Sequence, residues 1–302
     1  KYRTRVNPSS VGTALHEFAH AARARCAPLP TLHDKSSFTV VRRGAAVEIA
    51  RLRKEYRSGQ GCILALDDIS LKVSPGEFVC IVGPSGCGKS TLLRILAGLD
   101  TQSSGAMRVE APGWAVVNAM VFQESGLFPW MSVEANVGFG LMTRGVPHAQ
   151  AKERVQAALA LVGLTRFRAH YPHQLSGGMR QRCAIARAFV TDPGMLLMDE
   201  PFAALDAQNR TLLQAELLRI WEDTRKTVVY VTHSIEEALL LGDRTVLMTA
   251  QPGRIKKIID VPFARPRDLL TLSVSGEFGA LKLDIWRLLE DEVNRARAEA
   301  QA

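Results

Sequence analysis

Three short stretches of this 302-residue chain carry residue types whose spacing could do chemistry on a phosphate group. The first is Gly83-Pro84-Ser85-Gly86-Cys87-Gly88-Lys89-Ser90, followed by Thr91, which fits G-x-x-x-x-G-K-[ST]. Its glycines free backbone N–H groups to curl around the oxygens of a nucleoside triphosphate, and a helix starting there adds its positive end. Lys89 can reach the β- and γ-phosphates as a point charge, and the Ser90 hydroxyl can ligate Mg²⁺. The second is Ser176-Gly177-Gly178, inside Leu175–Arg182, where a hydroxyl and free N–H groups precede a helical pattern and form another anion-binding element. The third is Asp199-Glu200, which suits one metal ligand and one general base. An acidic pair can also be a simple helix cap. Four apolar residues directly before Asp199 and a proline directly after Glu200 favour chemistry.

These groups need elements to aim them. Phe78–Val82, Val116–Phe122, Met195–Met198 and Val228–Thr232 are apolar runs of strand length, as expected for parallel strands buried on both faces. The last three end at Gln123, Asp199 and His233, and the first runs into the Gly83 loop. The pattern predicts an α/β fold whose mostly parallel sheet delivers Gln123, Asp199, Glu200 and His233 to the same edge as the phosphate loop. Val47–Leu52 and Ile69–Val73 alternate as half-buried strands, Ser103–Gly105 reads as a turn, and residues 126–190 read as a helical insert with Val155, Ala158, Leu159 and Val162 on one face. Tyr56 stands 27 positions before Gly83, where its ring could stack on an adenine or simply fill the core. Arg265-Pro266-Arg267 reads as a linker, and Glu277–Ala298 as an amphipathic helix with Phe278, Leu281, Ile285, Leu288 and Leu289 near one face.

Composition narrows the class. Hydrophobic residues make up 47% of the chain, and no apolar run approaches the ~18 residues of a membrane span, so a soluble core is expected. The five cysteines are scattered and odd in number, with no C-x-x-C pair, which fits a reducing cytoplasm better than a disulfide framework or a zinc site. The net charge of +8 is concentrated at the start: residues 1–55 hold 11 Lys/Arg against 4 Asp/Glu. Residues 1–45 lack periodicity and read as a basic, disordered arm, a solvated segment before a nucleic-acid or lipid contact. His16-Glu17-Phe18-Ala19-His20 within it matches H-E-x-x-H, but no core or third ligand surrounds it, and no zinc site is expected there. The first residue is Lys1, not Met, so the natural start is expected to be processed or to lie upstream.

Taken together and in this order, the motifs resemble those of the ATP-binding subunits of ABC transporters across about residues 46–265. The resemblance implies a P-loop NTPase core with a mostly parallel sheet, an antiparallel β edge and a helical subdomain at about 126–190, flanked by the arm (1–45) and a C-terminal helical extension (266–302). It implies ATP and Mg²⁺ as cofactors. By resemblance, Gly83–Thr91 is the Walker A loop, Gln123 the glutamine that meets Mg²⁺ and senses the membrane partner, and Leu175–Gln181 the family signature, whose Ser176, Gly177 and Gly178 meet the nucleotide. Asp199 is then the Walker B ligand, Glu200 the catalytic carboxylate, Asp206 in Ala204-Leu205-Asp206 the D-loop, His233 the switch histidine, and Tyr56 the adenine-stacking aromatic. Leu127–Trp130, Asp199–Asp206 and Pro252-Gly253-Arg254-Ile255 resemble the nitrate, sulfonate and taurine importers. The segment between Gly105 and Val116 is short for the family, which suggests a trimmed edge hairpin. The resemblance further implies a head-to-tail homodimer enclosing two ATPs, integral membrane permease subunits, an extracytoplasmic binding protein reached indirectly, and a peripheral place on the cytoplasmic face of the inner membrane. No nucleic acid is expected. The competing readings are a non-transport ABC ATPase acting on nucleic acid or ribosomes, and a silent nucleotide-gated module. The single phosphate loop and single signature argue against the first, and the presence of Glu200 with His233 against the second.

Overall fold

A computed structural model describes residues 44–58 and 61–299, so the basic arm and its H-E-x-x-H motif lie outside the described residues. The described residues separate into two compact units, Leu127–Asp192 and the remaining described residues.

The larger unit holds two sheets. Strands β1 (Ala46–Ser58), β2 (Gly61–Val73) and β4 (Ser104–Glu110) form an antiparallel sheet ordered β2-β1-β4. Strands β3 (Phe78–Val82), β5 (Asn118–Val121), β6 (Met195–Asp199), β7 (Thr227–Thr232), β8 (Arg244–Met248) and β9 (Ile255–Asp260) form the second, ordered β5-β6-β7-β3-β8-β9 and parallel except for β9. Helices α1 (Lys89–Leu96), α5 (Ala207–Thr224), α6 (Ile235–Leu241), α7 (Leu269–Ser273) and α8 (Gly276–Glu299) belong to the same unit. The smaller unit contributes α2 (Val133–Thr143), α3 (His148–Leu161), α4 (Gly177–Phe189) and two single 3-10 turns, with no strand among its described residues.

The alternation of strand residues sorts the core into layers. Val79 and Ile81 of β3, Leu197 of β6, and Val229 and Val231 of β7 pack with Val47, Ile49, Leu52, Leu66 and Leu71 of the antiparallel sheet and with Leu92, Leu93 and Ile95 of α1. Residues of opposite parity meet α5: Phe78 lies edge-on to Trp221 at 5.7 Å and near Tyr230 at 5.9 Å. Both faces of β3, β6 and β7 are therefore dry, which is why each reads as an unbroken apolar run.

Three sequence readings change. The strand expected over Val116–Phe122 is only Asn118–Val121. It sits at the sheet edge beside β6 alone, and Val117 and Phe122 are exposed. Ser104 and Gly105, expected in a turn, already belong to β4, so the hairpin arm beside β1 is kept despite the short segment. Arg265-Pro266-Arg267 is a clamp and not a free linker. Arg265 donates to Asp243 and to the Leu241 carbonyl, and stacks over Trp221. Arg267 donates to the carbonyls of Leu239, Leu240, Gly242 and Phe263. Burial, with Arg265 beside it, pushes the Arg267 guanidinium down to about 10, so it stays charged at neutral pH.

The helical reading of residues 126–190 holds, with Val155, Ala158, Leu159 and Val162 buried. Within that unit the Asn136 side chain is fully buried. It accepts from Phe128 N and donates to the carbonyls of Phe128, Met131 and Ser132, closing the loop that leaves Trp130 exposed. The C-terminal helix also forms, and Phe278, Ile285 and Leu289 are its buried face.

Candidate active site

The phosphate loop leaves β3 between β7 and β8 and opens α1. Gly88 caps α1 with φ +93°, and a Cβ there would stand 2.6 Å from Leu66 Cδ2 and 2.9 Å from the Ala65 carbonyl. Only glycine satisfies both the left-handed backbone and that approach. Lys89 is buried, and its Nζ donates to the carbonyls of Gly83 and Pro84, each at 2.8 Å, which seats the ammonium on the loop's inner rim. Burial pushes the Cys87 thiol up, against the pull of Lys89 nearby. Ser85 and Gly86 are exposed at the loop's crest.

Asp199 ends β6 and is buried. The Ser90 hydroxyl donates to its Oδ1 at 3.0 Å. Burial raises the Asp199 carboxyl above its ordinary range, with Ser90 pulling the other way and Glu200 adding to the rise. A hydroxyl and a carboxylate in contact are hard oxygen donors of the kind Mg²⁺ takes in small number, completing its shell with water and phosphate. No cluster of three or more His, Cys, Asp or Glu suited to a metal exists among the described residues.

Glu200 follows with φ +44°, a left-handed backbone that a non-glycine residue adopts only when its surroundings hold it there. Its N–H donates to the Val231 carbonyl of β7 at 2.9 Å, which turns the side chain towards the residue just past that strand. There Glu200 Oε2 meets His233 Nδ1 at 3.0 Å. An ionised carboxylate only accepts, so Nδ1 carries the proton in this pair.

A buried acid that the sequence reading missed holds this corner. Glu237 accepts from Thr232 Oγ1 at 2.5 Å and from Gln214 Nε2 of α5 at 2.8 Å. Ser234 N donates to Thr232 Oγ1, and the Ser234 hydroxyl caps Glu237 N, so both neighbours of His233 are pinned. The available signal was a pair of carboxylates, Glu236 and Glu237, within the otherwise apolar run Ile235–Leu241. Glu237→Ala would strand two buried donors, and denaturant unfolding should show a loss of about 2–4 kcal/mol. Glu237→Gln should lose less, because the Gln214 amide can flip to match it.

The other expected residues are less closely gathered. Gln123 is exposed just past β5, at the same end of the sheet as Asp199. Tyr56 is fixed by Asp100, which accepts from its hydroxyl at 2.7 Å, and by Lys54, whose Nζ lies 4.6 Å from the ring centre. Asp100 follows the end of α1 opposite the loop, so these contacts tie the ring to that end. Asp206 caps α5 by accepting from Asn209 N and Nδ2, and the Asn209 N–H holds its carboxyl below the usual range. In the smaller unit, exposed Ser176 caps α4 by accepting from Met179 N, and a Cβ on Gly178 would meet nothing within 4 Å. Thr91 is half-buried in the first turn of α1.

A family model described as ABC transporter matches residues 66–203. An uncharacterized ABC transporter ATP-binding protein of Methanocaldococcus jannaschii is 46% identical over 250 residues, covering 82% of this chain and 92% of that one. The taurine import ATP-binding protein TauB of Chromobacterium violaceum is 50% identical over 204 residues, covering 67% of this chain and 78% of its own. Among solved structures, a dimeric, post-hydrolysis ATP-binding cassette bound to ADP and Pi matches with a TM-score of 0.64 at 32% identity, over 72% of this chain and all of that one. The phosphate loop, the paired Ser90 and Asp199, and these relatives place the chain in the ABC transporter family, among its ATP-binding proteins.

Proposed function

We propose that this chain is the ATP-hydrolysing subunit of an importer for a small anion such as taurine, another sulfonate or nitrate. The observation that carries it is the convergence, at one edge of one parallel sheet, of buried Lys89, the Ser90–Asp199 pair and the Glu200–His233 pair. The import reading draws support from relatives named for taurine import and for aliphatic sulfonate import, the latter 42% identical over 226 residues. Residues 46–265 would form the nucleotide-binding domain, and residues from 266 on an extension of it.

Phosphoryl transfer is mainly positioning and electrostatics. The loop from Gly83 to Ser90, with Thr91 behind it, cradles the phosphates, and Lys89 exchanges its two carbonyl partners for β- and γ-oxygens. Mg²⁺ held by Ser90 and Asp199, with the Gln123 amide as a further oxygen donor, would neutralise charge on those oxygens. Glu200 accepts a proton from a water whose oxygen attacks the γ-phosphorus, and the bond to the bridging oxygen breaks to leave ADP and phosphate. His233 steadies the γ-phosphate. Since Nδ1–H is spent on Glu200, the ring must carry both protons or turn away from Glu200 to donate there. Ser176, Gly177 and Gly178 of a second copy would cap the nucleotide in a head-to-tail dimer, with Asp206 beside that interface and Tyr56 against the adenine. No helix among the described residues is long and apolar enough to cross a membrane. The reading adds separate permease subunits, with an extracytoplasmic binding protein beyond them and this chain on the cytoplasmic face.

Purifying the subunit in mild detergent from its native membrane and identifying what accompanies it tests this reading. Recovery of integral membrane subunits with an extracytoplasmic binding protein is expected. Recovery of ribosomes or nucleic acid instead would favour a non-transport ATPase.

A further inference from the structure

The C-terminal helix α8 contributes no group to the chemistry above, yet it is anchored at two points close to it. At one point Glu292, almost fully buried, accepts from the Ala250 backbone N–H through Oε2 at 3.0 Å and from Lys256 Nζ through Oε1 at 2.8 Å. At the other, Lys282 pairs with Glu236 of α6, three residues past His233.

Ala250 begins the turn between β8 and β9, and that turn forms a backstop for the phosphate loop. Thr249 closes it by accepting from Arg254 N through Oγ1 and donating its own N–H to the Arg254 carbonyl. Gly253 N donates to the Ala65 carbonyl, and the Gly253 carbonyl accepts from Asp67 N. The backbone of Gly253 lies so near the loop that a Cβ there would fall 2.0 Å from the Cys87 carbonyl. The Gly253 backbone therefore presses on the middle of the phosphate loop, two residues from Lys89.

Between α8 and the loop itself runs a cleft of about 420 Å³, with Val82, Pro84 and His233 on one wall and Trp286, Leu289 and Val293 on the other. The helix is thus held off the loop over that stretch: α8 reaches the turn by a hydrogen bond, and the turn reaches the loop by the close approach of Gly253 to Cys87. We infer that Glu292 is a positioning residue for the nucleotide site, setting the phosphate loop through Ala250 and Gly253. The inference rests on the nucleotide-binding reading and goes beyond it by giving the C-terminal helix a part in that site.

The test uses the full chain and a trinitrophenyl derivative of ATP as the probe. Glu292→Ala leaves Ala250 N without an acceptor and should weaken probe binding about tenfold. Glu292→Gln keeps an acceptor for that N–H and should stay within threefold of the unaltered chain. Phe278→Leu loosens the opposite end of α8, where Phe278 packs on Phe263. It should lower the melting temperature while changing affinity by less than twofold. Unchanged affinity in a folded Glu292→Ala protein, or an equal loss in Phe278→Leu, overturns the proposal. Should Glu292→Ala not fold, amide exchange on the unaltered chain decides: ATP should slow exchange across 249–254 together with 83–90, and slowing confined to 83–90 overturns the proposal. No probe binding by the unaltered chain would overturn the nucleotide reading as well, whereas the other adverse outcomes overturn this inference alone.

Discussion

Glu200→Gln should bind ATP as tightly as the unaltered chain and hydrolyse it at least ~100-fold more slowly, the scale of losing one preorganised catalytic group. The substitution is almost isosteric. The left-handed backbone at this position and its bond to the Val231 carbonyl are independent of the side chain, so the fold should survive. The amide oxygen can still accept from His233 Nδ1, so the histidine should keep its place. What disappears is the negative charge and the capacity to take a proton from water. Lys89, Ser90 and Asp199 are untouched, which is why affinity should persist. Equilibrium binding beside single-turnover hydrolysis separates the two quantities, and hydrolysis near the unaltered rate would remove Glu200 from the role of base.

Ser176→Arg should abolish turnover, by ~100-fold or more, without weakening ATP binding to the isolated monomer. Ser176 is exposed and caps α4, and the space beside Gly178 is open on the surface of its unit. Losing the cap should cost the protein about 1 kcal/mol, too little to unfold it. The larger effect is steric: a long cation fills the place where hydroxyl and N–H donors would otherwise face a phosphate held by the other copy. Binding to the monomer, which uses the loop from Gly83 to Ser90, should not notice. Hydrolysis measured against protein concentration supplies the check. Full activity would argue that each copy completes its own site.

The parts of the fold that were legible in sequence share one physical property. β3, β6 and β7 are buried on both faces, so every position is apolar and the run ends where solvent begins. Asp199, Glu200 and His233 stand at those ends, and the sheet order brings them together without further information. β4 was hidden because it is an exposed edge: Ser104 and Gly105 carry turn chemistry but have β1 to pair with. β5 read too long because an apolar run does not reveal that it has one neighbour only. Glu237 was missed because an acid within a helix reads as a solvated face, and only the fold shows that Thr232 and Gln214 close around it. Arg265 and Arg267 read as a linker for the same reason: charge beside proline signals exposure, while the carbonyls that bury these guanidiniums come from residues about 25 positions earlier.

That clamp bears on how the chain is made. Helices normally end on partners supplied within a residue or two, but the closing carbonyls of α6 wait for Arg267. A ribosome releases His233 and all of α6 well before it releases Arg267. During that interval the closing carbonyls of α6 lack the guanidinium that later binds them. A chain cut back to residue 260 would remain permanently in that condition, with Asp243 also deprived of its ion pair with Arg265. The stretch from residue 261 onward thus belongs to the folding of the nucleotide-binding body, and trimming it as an appendage would be felt at the end of α6.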